Sequence, residues 1–387
     1  MSDLFIRANA LIASSSPESL TLEYKREPYA HTEGGRKEFS KDISAFANRD
    51  GGILIIGVLE KAEVLEVLGV PADQIDAEIQ WLESVVRSGV SPHLFGVRIE
   101  AVEISGSSLI VIDIPRGFER PYEALQNGGR FFVREERSVR PMSREEIRSV
   151  VSNQLDLSQS IDRFVDQRWS TLCAGGGAAR DQLQDDQGGC LLVVTPIFDQ
   201  TFTYRVNLPA AFGQLPSLRA FHTRDTGSAS PNIDGLRYPM LELPSGRFHA
   251  FTQIYRHGAV EMADGYTFDR TDDRPIPGLL LCQALIDSTL GAIKTSQQLT
   301  GASLYRVDFR ARPLAGTPIA FYNSGWGEKK RADRDELHFD PIFIEVPDGW
   351  DQTFSHTMKP LLDAVWQAFG YVSCGYFNEQ GEWAPPR

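Results

Sequence analysis

A chain of 387 residues, 42% hydrophobic and 24% charged, has the composition of a folded globular protein and the length of two ordinary domains. Its net charge of −13 argues against a protein that coats nucleic acid through its overall field, since such binding is largely phosphate neutralisation, but leaves room for a local basic groove. No stretch approaches the ~18 consecutive apolar residues of a membrane span, and the opening MSDLFIRANALIASSS lacks the basic and then apolar regions of a signal peptide, so a cytoplasmic protein with no membrane partner is expected. The cysteines Cys173, Cys190, Cys282 and Cys374 form no CxxC pair and are expected to be reduced and unbridged. The seven histidines show no HExxH and no Cys/His clustering, so a structural zinc site is not expected and any metal would take oxygen ligands.

In chain order, Leu20, Leu22 and Tyr24 alternate with Thr21, Glu23 and Lys25, which predicts a half-buried strand over 20–25. After a Gly-Gly turn at 34–35, Phe39, Ile43, Phe46 and Ala47 recur at helical spacing, and Arg49-Asp50-Gly51-Gly52 ends that helix. The run ILIIGV over 53–58 is apolar on both faces and reads as a central strand. A helix over 73–89 carries Ile75, Ile79, Leu82, Val85 and Val86 on one face and stops before Pro92. Strands over 97–104 and 108–114 form a hairpin, a short strand covers 130–134, and Ser143-Arg144-Glu145-Glu146 is a capping box that opens a helix through about 153.

These elements place a mixed α/β domain over 1–156. Residues 157–173 read as a linking helix and 174–189, AGGGAARDQLQDDQGG, as a flexible Gly-rich linker, so the connection spans 157–189. A second α+β domain follows over 190–387. It opens with the strand CLLVVTP, continues with a hairpin over 248–265 turning at His257-Gly258, and carries a long helix over 277–299. Strands near 303–312, 318–323 and 341–346 and a helix at about 357–369 complete it, for an α+β class overall. Phe248, Phe251, Tyr255, Tyr266 and Phe268 are candidates for base or ligand stacking, with core packing the plainer explanation. Lys329-Lys330-Arg331 beside Trp326 forms a small basic loop, read as a solvated turn.

The string Glu18-Ser-Leu-Thr-Leu-Glu23-Tyr-Lys25, followed by Ile43-Ser-Ala-Phe-Ala-Asn48-Arg-Asp-Gly51-Gly52 and an apolar strand ending in Gly57-Val58, resembles the Schlafen-type AlbA-like domain. Arg120-Pro121-Tyr122, Phe131-Phe132-Val133-Arg134 and Arg140-Pro141 extend the resemblance, which spans roughly 15–155. It implies an AlbA-like α/β fold associated with nucleic acid, RNA more than DNA. In the nuclease members of the family, converging carboxylates form a metal-dependent site that cleaves tRNA-like substrates, which would suit an effector in antiviral (anti-phage) defence. Carried over residue by residue, Glu18 and Glu23 match the first two acidic positions and Lys25 the following lysine. The family's Asp after Gly-Val is Leu59 here, so Glu60, or else Asp50, stands in as third ligand.

On that reading Glu18, Glu23 and Glu60 hold Mg²⁺ or Mn²⁺ over a phosphodiester, and Lys25 stabilises the extra transition-state charge. Glu18 shares the parity of Leu20, so it must lie in the turn before the strand to join the others. Arg134, Arg137, Arg140 and Asn48 are the candidate nucleic-acid contacts, from an Arg-rich run over 116–148. Each has a plainer alternative: Glu23 and Lys25 as an ion pair on an exposed strand, Asn48 bonding the turn backbone, the arginines paired with interspersed glutamates. The Gly51-Gly52 pair lacks a following GKS or GKT, so ATP hydrolysis through a P-loop is not supported. The competing function is a non-catalytic regulatory protein that binds nucleic acid or nucleotide, with the second domain as a sensor, oligomerisation or partner-binding module.

Overall fold

A computed structural model describes residues 2–61, 64–174, 183, 187–198, 201–202, 205–207, 218, 221, 229–238, 241–242, 248–269, 275–313, 316–321, 330–346 and 350–385. The chain divides into two compact units, Met1–Gln159 and Ser160–Arg387. The overall class is α+β, as the pattern of elements predicts.

In the first unit the elements run α1 (Asp3–Ala13), β1 (Leu22–Lys25), α2 (Glu33–Ala47), β2 (Gly52–Ile56), β3 (Val58–Lys61), β4 (Val64–Val67), α3 (Ile75–Gly89), β5 (Val90–Ser91), β6 (Arg98–Ile104), β7 (Ser107–Ile114), β8 (Glu123–Ala124), β9 (Arg130–Glu135) and β10 (Ser138–Pro141). Strands β1-β2-β7-β6 form one sheet, with β1 parallel to β2 at its edge, and β10-β9-β8-β5 form a second. Strand β2 is buried on both sides, as its sequence requires: Ile53 and Ile55 pack with Leu4 and Ala8 of α1, and Leu54 and Ile56 with Phe39, Ile43 and Phe46 of α2. Each of those fully buried side chains contributes ~1.5–3 kcal/mol of hydrophobic stabilisation. The alternation of β1 then decides where the motif residues go. Leu22 and Tyr24 point to the α1 side, while Glu23 and Lys25 pair in register with Leu54 and Ile56 on the α2 side.

Three features of this unit differ from the sequence reading. Helix α1 was not anticipated, although Leu4, Phe5, Ala8, Leu11 and Ile12 have helical spacing and Ser2 caps its start. Helix α2 begins one turn early: the Thr32 side chain accepts from the Gly35 amide, so the Gly-Gly pair lies inside the first turn rather than in a turn before it. Residue Glu60 lies in a strand, not a loop, because Val58–Lys61 pairs antiparallel with Val64–Val67.

The turn after α2 depends on its glycines. Gly51 has φ +68°, and a Cβ there would lie 2.6 Å from the Arg116 amide nitrogen and the Ile114 carbonyl oxygen. A Cβ on Gly52 would lie 2.4 Å from the Thr21 carbonyl oxygen. Only glycine permits this close approach of the turn to β7 and to the entry of β1.

The capping box is present as read: the Ser143 hydroxyl accepts from the Glu146 amide at 3.2 Å, and the Glu146 carboxylate accepts from the Ser143 amide at 2.7 Å. Helix α4 (Arg144–Ala174) then runs unbroken for 31 residues. A separate linking helix over 157–173 is thus corrected to a continuation of the same helix, which contains no Gly or Pro to end it. The Gly-rich segment 174–189 lies largely outside the described residues; of those described, Leu183 is buried and its amide donates to the Leu172 carbonyl.

The second unit is built on a sheet ordered β12-β13-β15-β16-β11-β18-β20, with β14 on β15 and β21 on β18. These are β11 (Gly189–Pro196), β12 (Ser230–Pro231), β13 (Gly235–Arg237), β14 (Leu241–Glu242), β15 (Phe248–Tyr255), β16 (Val260–Asp264), β18 (Leu304–Arg312), β20 (Leu337–His338) and β21 (Ile342–Glu345), with β17 (Ile276–Pro277) and β19 (Ile319–Ala320) pairing apart. Helix α5 (Gly278–Thr300) and α6 (Lys359–Gln367) share the main core with Leu192, Val194, Met262, Val307 and Phe309. The 160–174 part of α4 lies on the polar residues of this sheet: Arg168 pairs with Glu261 at 2.8 Å, Asp162 with Arg306 at 2.6 Å, and Asp166 with Arg310.

Phe251, Tyr255 and Phe268 are buried, which favours packing over ligand stacking for those three, while Tyr266 is exposed. Trp326 and Lys329 lie outside the described residues; Lys330 donates to the Gly370 carbonyl at 2.6 Å and Arg331 to the Gly316 carbonyl. Among the described residues no helix is long and apolar enough to cross a membrane.

Candidate nucleic-acid interface

Because β1 is an edge strand, the Tyr24 amide and the Leu22 carbonyl face away from β2 and need partners. The motif residues supply them. Glu18 lies in the turn before β1, as its parity requires, and its carboxylate accepts from the Tyr24 amide at 3.0 Å. Arg134, next to the end of β9, donates to the carbonyls of Ser19 at 2.9 Å and Leu22 at 3.5 Å, and the Leu22 carbonyl also accepts from the Ser19 amide at 2.9 Å. Its guanidinium stacks 4.2 Å from the Phe46 ring centroid and its side chain is 1% exposed.

Glu23 sits between two cations, Lys25 at 2.7 Å and Arg134. Burial alone would raise the Glu23 carboxyl, but the Lys25 and Arg134 charges outweigh it and hold the group below its ordinary value. Lys25 also reaches Asp42 of α2 at 3.1 Å and Glu38 at 3.4 Å. Asp42 is 2% exposed and accepts from the Tyr29 hydroxyl at 2.8 Å. Burial, reinforced by the Glu23 charge, pushes Asp42 up despite Lys25, and burial beside Asp42 pushes the Tyr29 phenol up as well. Lys25 is depressed by burial but raised more by Asp42 and Glu23, so it stays charged. Asp42 and Tyr29 were not picked out from sequence; the available signal was an acid between Phe39 and Ile43 on the apolar face of α2.

On the α1 side, Glu60 accepts from the Glu18 amide at 3.0 Å and pairs with Arg137 at 3.2 Å. Burial, with the Glu60 and Glu18 charges adding to it, pushes the Tyr24 phenol up to about 12. Arg137 is 54% exposed, so this is a surface pair.

Asn48 is corrected from a phosphate contact to an internal tie. It is buried; its amide nitrogen donates to the carbonyls of Tyr122 at 2.8 Å and Phe132 at 2.9 Å, and its oxygen accepts from the Tyr122 amide at 2.7 Å. It therefore ties the end of α2 to the Arg120-Pro121-Tyr122 and Phe131-Phe132 segments, and has nothing left for a ligand. Arg134 is likewise corrected from a nucleic-acid contact to a buried hub, and Arg140 is held by Glu135 at 2.8 Å and Glu146 at 2.9 Å. Hydrogen bonds from Arg140 and the Ser143 amide hold the Glu146 carboxyl down at about 2.

The carboxylates do not gather over one point. Glu23 faces α2 while Glu18 and Glu60 lie with Tyr24 towards α1, and Asp50 is elsewhere, loosely paired with Arg49 at 3.7 Å and Arg116 at 3.9 Å. Among the described residues no group of three or more His, Cys, Asp or Glu side chains is arranged to hold a metal ion. In this arrangement the residues present do not fit Mg²⁺ or Mn²⁺: Glu23 is neutralised by Lys25 and Arg134, Glu60 carries Arg137, and a Glu18 oxygen is taken by the strand edge.

A groove of about 690 Å³ opens beside these residues, at the entry of β1 and β2, lined by Arg7, Ser16, Thr21, Asp50, Asp113 and Arg116 among others. Arg7 pairs with Asp113 at 3.1 Å and Arg116 with Asp50, and both guanidiniums remain partly exposed. The groove thus offers hydroxyls and two cations in weak surface pairs.

An α/β domain with an edge strand secured by a glutamate and a buried arginine, and with a Gly-Gly turn under a buried asparagine, is the structural form of the sequence motifs. Residues 18–143 match the family described as Schlafen, AlbA_2. The N-terminal unit is a domain of that family, and the family points to a role connected with nucleic acid. Among solved structures, the chain is similar to the DIP2311 protein from Corynebacterium diphtheriae, at 20% identity over 37% of this chain and 31% of that one, with a TM-score of 0.28. It is also similar to the N-terminal domain of a putative ATP-dependent DNA helicase RecG-related protein from Nitrosomonas europaea, at 24% identity over 30% of this chain and 74% of that one, with a TM-score of 0.23. The chain spans less than a third of the first of these. No curated protein matches.

Proposed function

We propose that the N-terminal unit binds nucleic acid, RNA in preference to DNA, through the exposed guanidiniums of Arg7, Arg116 and Arg137, without using the motif carboxylates to cut it. The observation that carries this reading is that each motif carboxylate already has a structural partner, Glu23 between Lys25 and Arg134 above all. The exposed arginines are in the opposite situation. A surface ion pair is worth ~0–1 kcal/mol, and a guanidinium gains more from a bidentate phosphate. Exchange from Asp113, Asp50 and Glu60 to phosphate is therefore favourable.

The finer reading, a metal-dependent endoribonuclease acting on tRNA-like RNA, requires Lys25 and Arg134 to leave Glu23, in addition to Arg137 leaving Glu60, so that Mg²⁺ or Mn²⁺ can enter. One experiment separates the two. The purified chain is incubated with labelled tRNA and with single-stranded RNA and DNA, with and without Mn²⁺, beside a Glu18→Gln/Glu60→Gln variant. Binding without cleavage, equal in both proteins, is the expected outcome. Mn²⁺-dependent cleavage that the variant loses would replace this reading with the nuclease.

A further inference from the structure

Of the four cysteines, two meet. Cys282 in α5 and Cys374 in the segment after α6 lie 92 residues apart in sequence, yet their Sγ atoms are 3.8 Å apart. Both are buried, at 0% and 3% exposure. The Trp366 indole N–H donates to the Cys282 sulfur at 3.3 Å, and the Asp363 carboxylate accepts from the Cys374 amide at 2.9 Å, which fixes the turn that carries the second thiol. Phe321, Trp366, Tyr371 and Tyr376 pack against one another around the pair. Cys374 is the member nearer to solvent, since its chain neighbours Val372, Ser373 and Gly375 are exposed while its own side chain turns inward.

We propose that Cys282 and Cys374 form a redox-active dithiol that takes a small hydroperoxide as its oxidant and closes to a disulfide tying the C-terminal segment to α5. The sulfurs must approach to about 2.05 Å, a closure on the order of 2 Å. Val372, Ser373 and Gly375 on either side of Cys374 are exposed, so a shift of this segment displaces little packing.

The two thiols have different roles. Either sulfur can donate in the contact between them; with Cys282 as the donor, that hydrogen bond holds the Cys374 thiol below its ordinary value, and Lys359 acts in the same direction. Burial, with its role as donor, pushes Cys282 well up. Cys374 is thus the nucleophile. Its thiolate sulfur attacks the peroxide: an S–O bond forms, the O–O bond breaks, and the departing oxygen takes a proton and leaves as water (or as an alcohol from an organic hydroperoxide), giving a sulfenic acid. The Cys282 sulfur then attacks the Cys374 sulfur: the S–S bond forms, the S–O bond breaks, and water leaves with the Cys282 proton. In sum two thiols lose two protons and two electrons, and one hydrogen peroxide becomes two waters. Cys173 and Cys190 have no thiol partner and stay reduced.

The test uses the full-length wild-type chain. It is treated with equimolar hydrogen peroxide, unfolded in denaturant with an alkylating agent, digested and analysed by mass spectrometry. The expected product is one cross-linked peptide pair containing Cys282 and Cys374, reversed by dithiothreitol and absent from a Cys374→Ser variant. The oxidised wild type should melt roughly 5–15 °C higher than the reduced protein, because the bond closes a long loop. Recovery of Cys282 and Cys374 as alkylated free thiols would overturn the proposal. So would Cys374 appearing as sulfinic or sulfonic acid without the cross-link. A cross-link that leaves the melting temperature unchanged would overturn the clamp.

Discussion

Arg134 and Arg137 are three residues apart, both pair with a motif glutamate, and differ in what their removal does. Arg134→Ala would leave Glu23 half-compensated in a buried setting and take the 2.9 Å donor from the Ser19 carbonyl, while the Leu22 carbonyl keeps the Ser19 amide. Breaking a buried pair of this kind costs roughly 3–5 kcal/mol, to be read from the urea midpoint. Arg137→Ala, at an exposed pair, should cost less than ~1 kcal/mol and be felt only in nucleic-acid binding. Asn48→Ala should resemble Arg134→Ala, because it takes the partner from the Tyr122 amide, one donor from the Phe132 carbonyl and one of two donors from the Tyr122 carbonyl in the interior, at ~3 kcal/mol. Equal stabilities for Asn48→Ala and wild type would show that the tie is dispensable. At this scale the sequence was informative about residue type and misleading about role. Glu18, Glu23, Asn48 and Arg134 stand out as motif residues, but whether a motif side chain faces a ligand or a backbone amide depends on partners 111 or 74 residues away. Nothing in local spacing reports those distances.

Elements were legible where periodicity was strong. The alternation of Leu22 and Tyr24 with Glu23 and Lys25, the two-sided apolar β2, the strand read over 108–114 and found at Ser107–Ile114, and the hairpin turning at His257-Gly258 all appear where the pattern puts them. The short hairpin β3-β4 was not legible, since four-residue strands with mixed burial give little signal, so the sequence placed Glu60 only as an acid just past Gly57-Val58.

The hairpin also yields a pH prediction. His257 packs among Phe164, Phe202 and Tyr255, and its Nδ1 has no hydrogen-bond partner among the described residues. Burial, with Arg205 adding to it, lowers its value from 6.5 to about 4. The folded state thus holds the neutral ring and the unfolded state takes the proton first. The contribution to stability is full above about 6.5 and is lost as the pH falls towards about 4, up to ~3 kcal/mol. His257→Phe keeps the aromatic packing and should remove this part of the acid sensitivity, so that the wild-type and variant urea midpoints diverge between pH 7.5 and 4.5. Parallel midpoints over that range would contradict the buried neutral ring. For helix α4, Ser143→Ala should cost ~1 kcal/mol through loss of the N-terminal cap, seen as a lower melting temperature.

For the whole molecule, the order of strand and helix patterns gave the α+β class, and the net charge of −13 sets the terms on which any nucleic acid can be bound. A chain that repels polyanions at long range must hold them by a few local contacts, so affinity should be modest and fall steeply with salt. The length of α4 escaped the sequence reading for a related reason of scale. The polar runs at 152–154 and 158–160 weaken the apolar pattern, yet no Gly or Pro stops the helix, and its second half is held by Arg168, Asp162 and Asp166 against the sheet of the second unit.

Half-exposed arginines grip phosphate while Glu18 stays with the Tyr24 amide and Glu23 with Lys25 and Arg134. Fluorescence anisotropy of a labelled single-stranded RNA, titrated with wild type and with an Arg7→Gln/Arg116→Gln/Arg137→Gln variant over a range of salt, tests it directly. The variant should bind about tenfold or more weakly at low salt, with a salt dependence shallower by up to about three ions. Identical affinity and slope for the two proteins would contradict it.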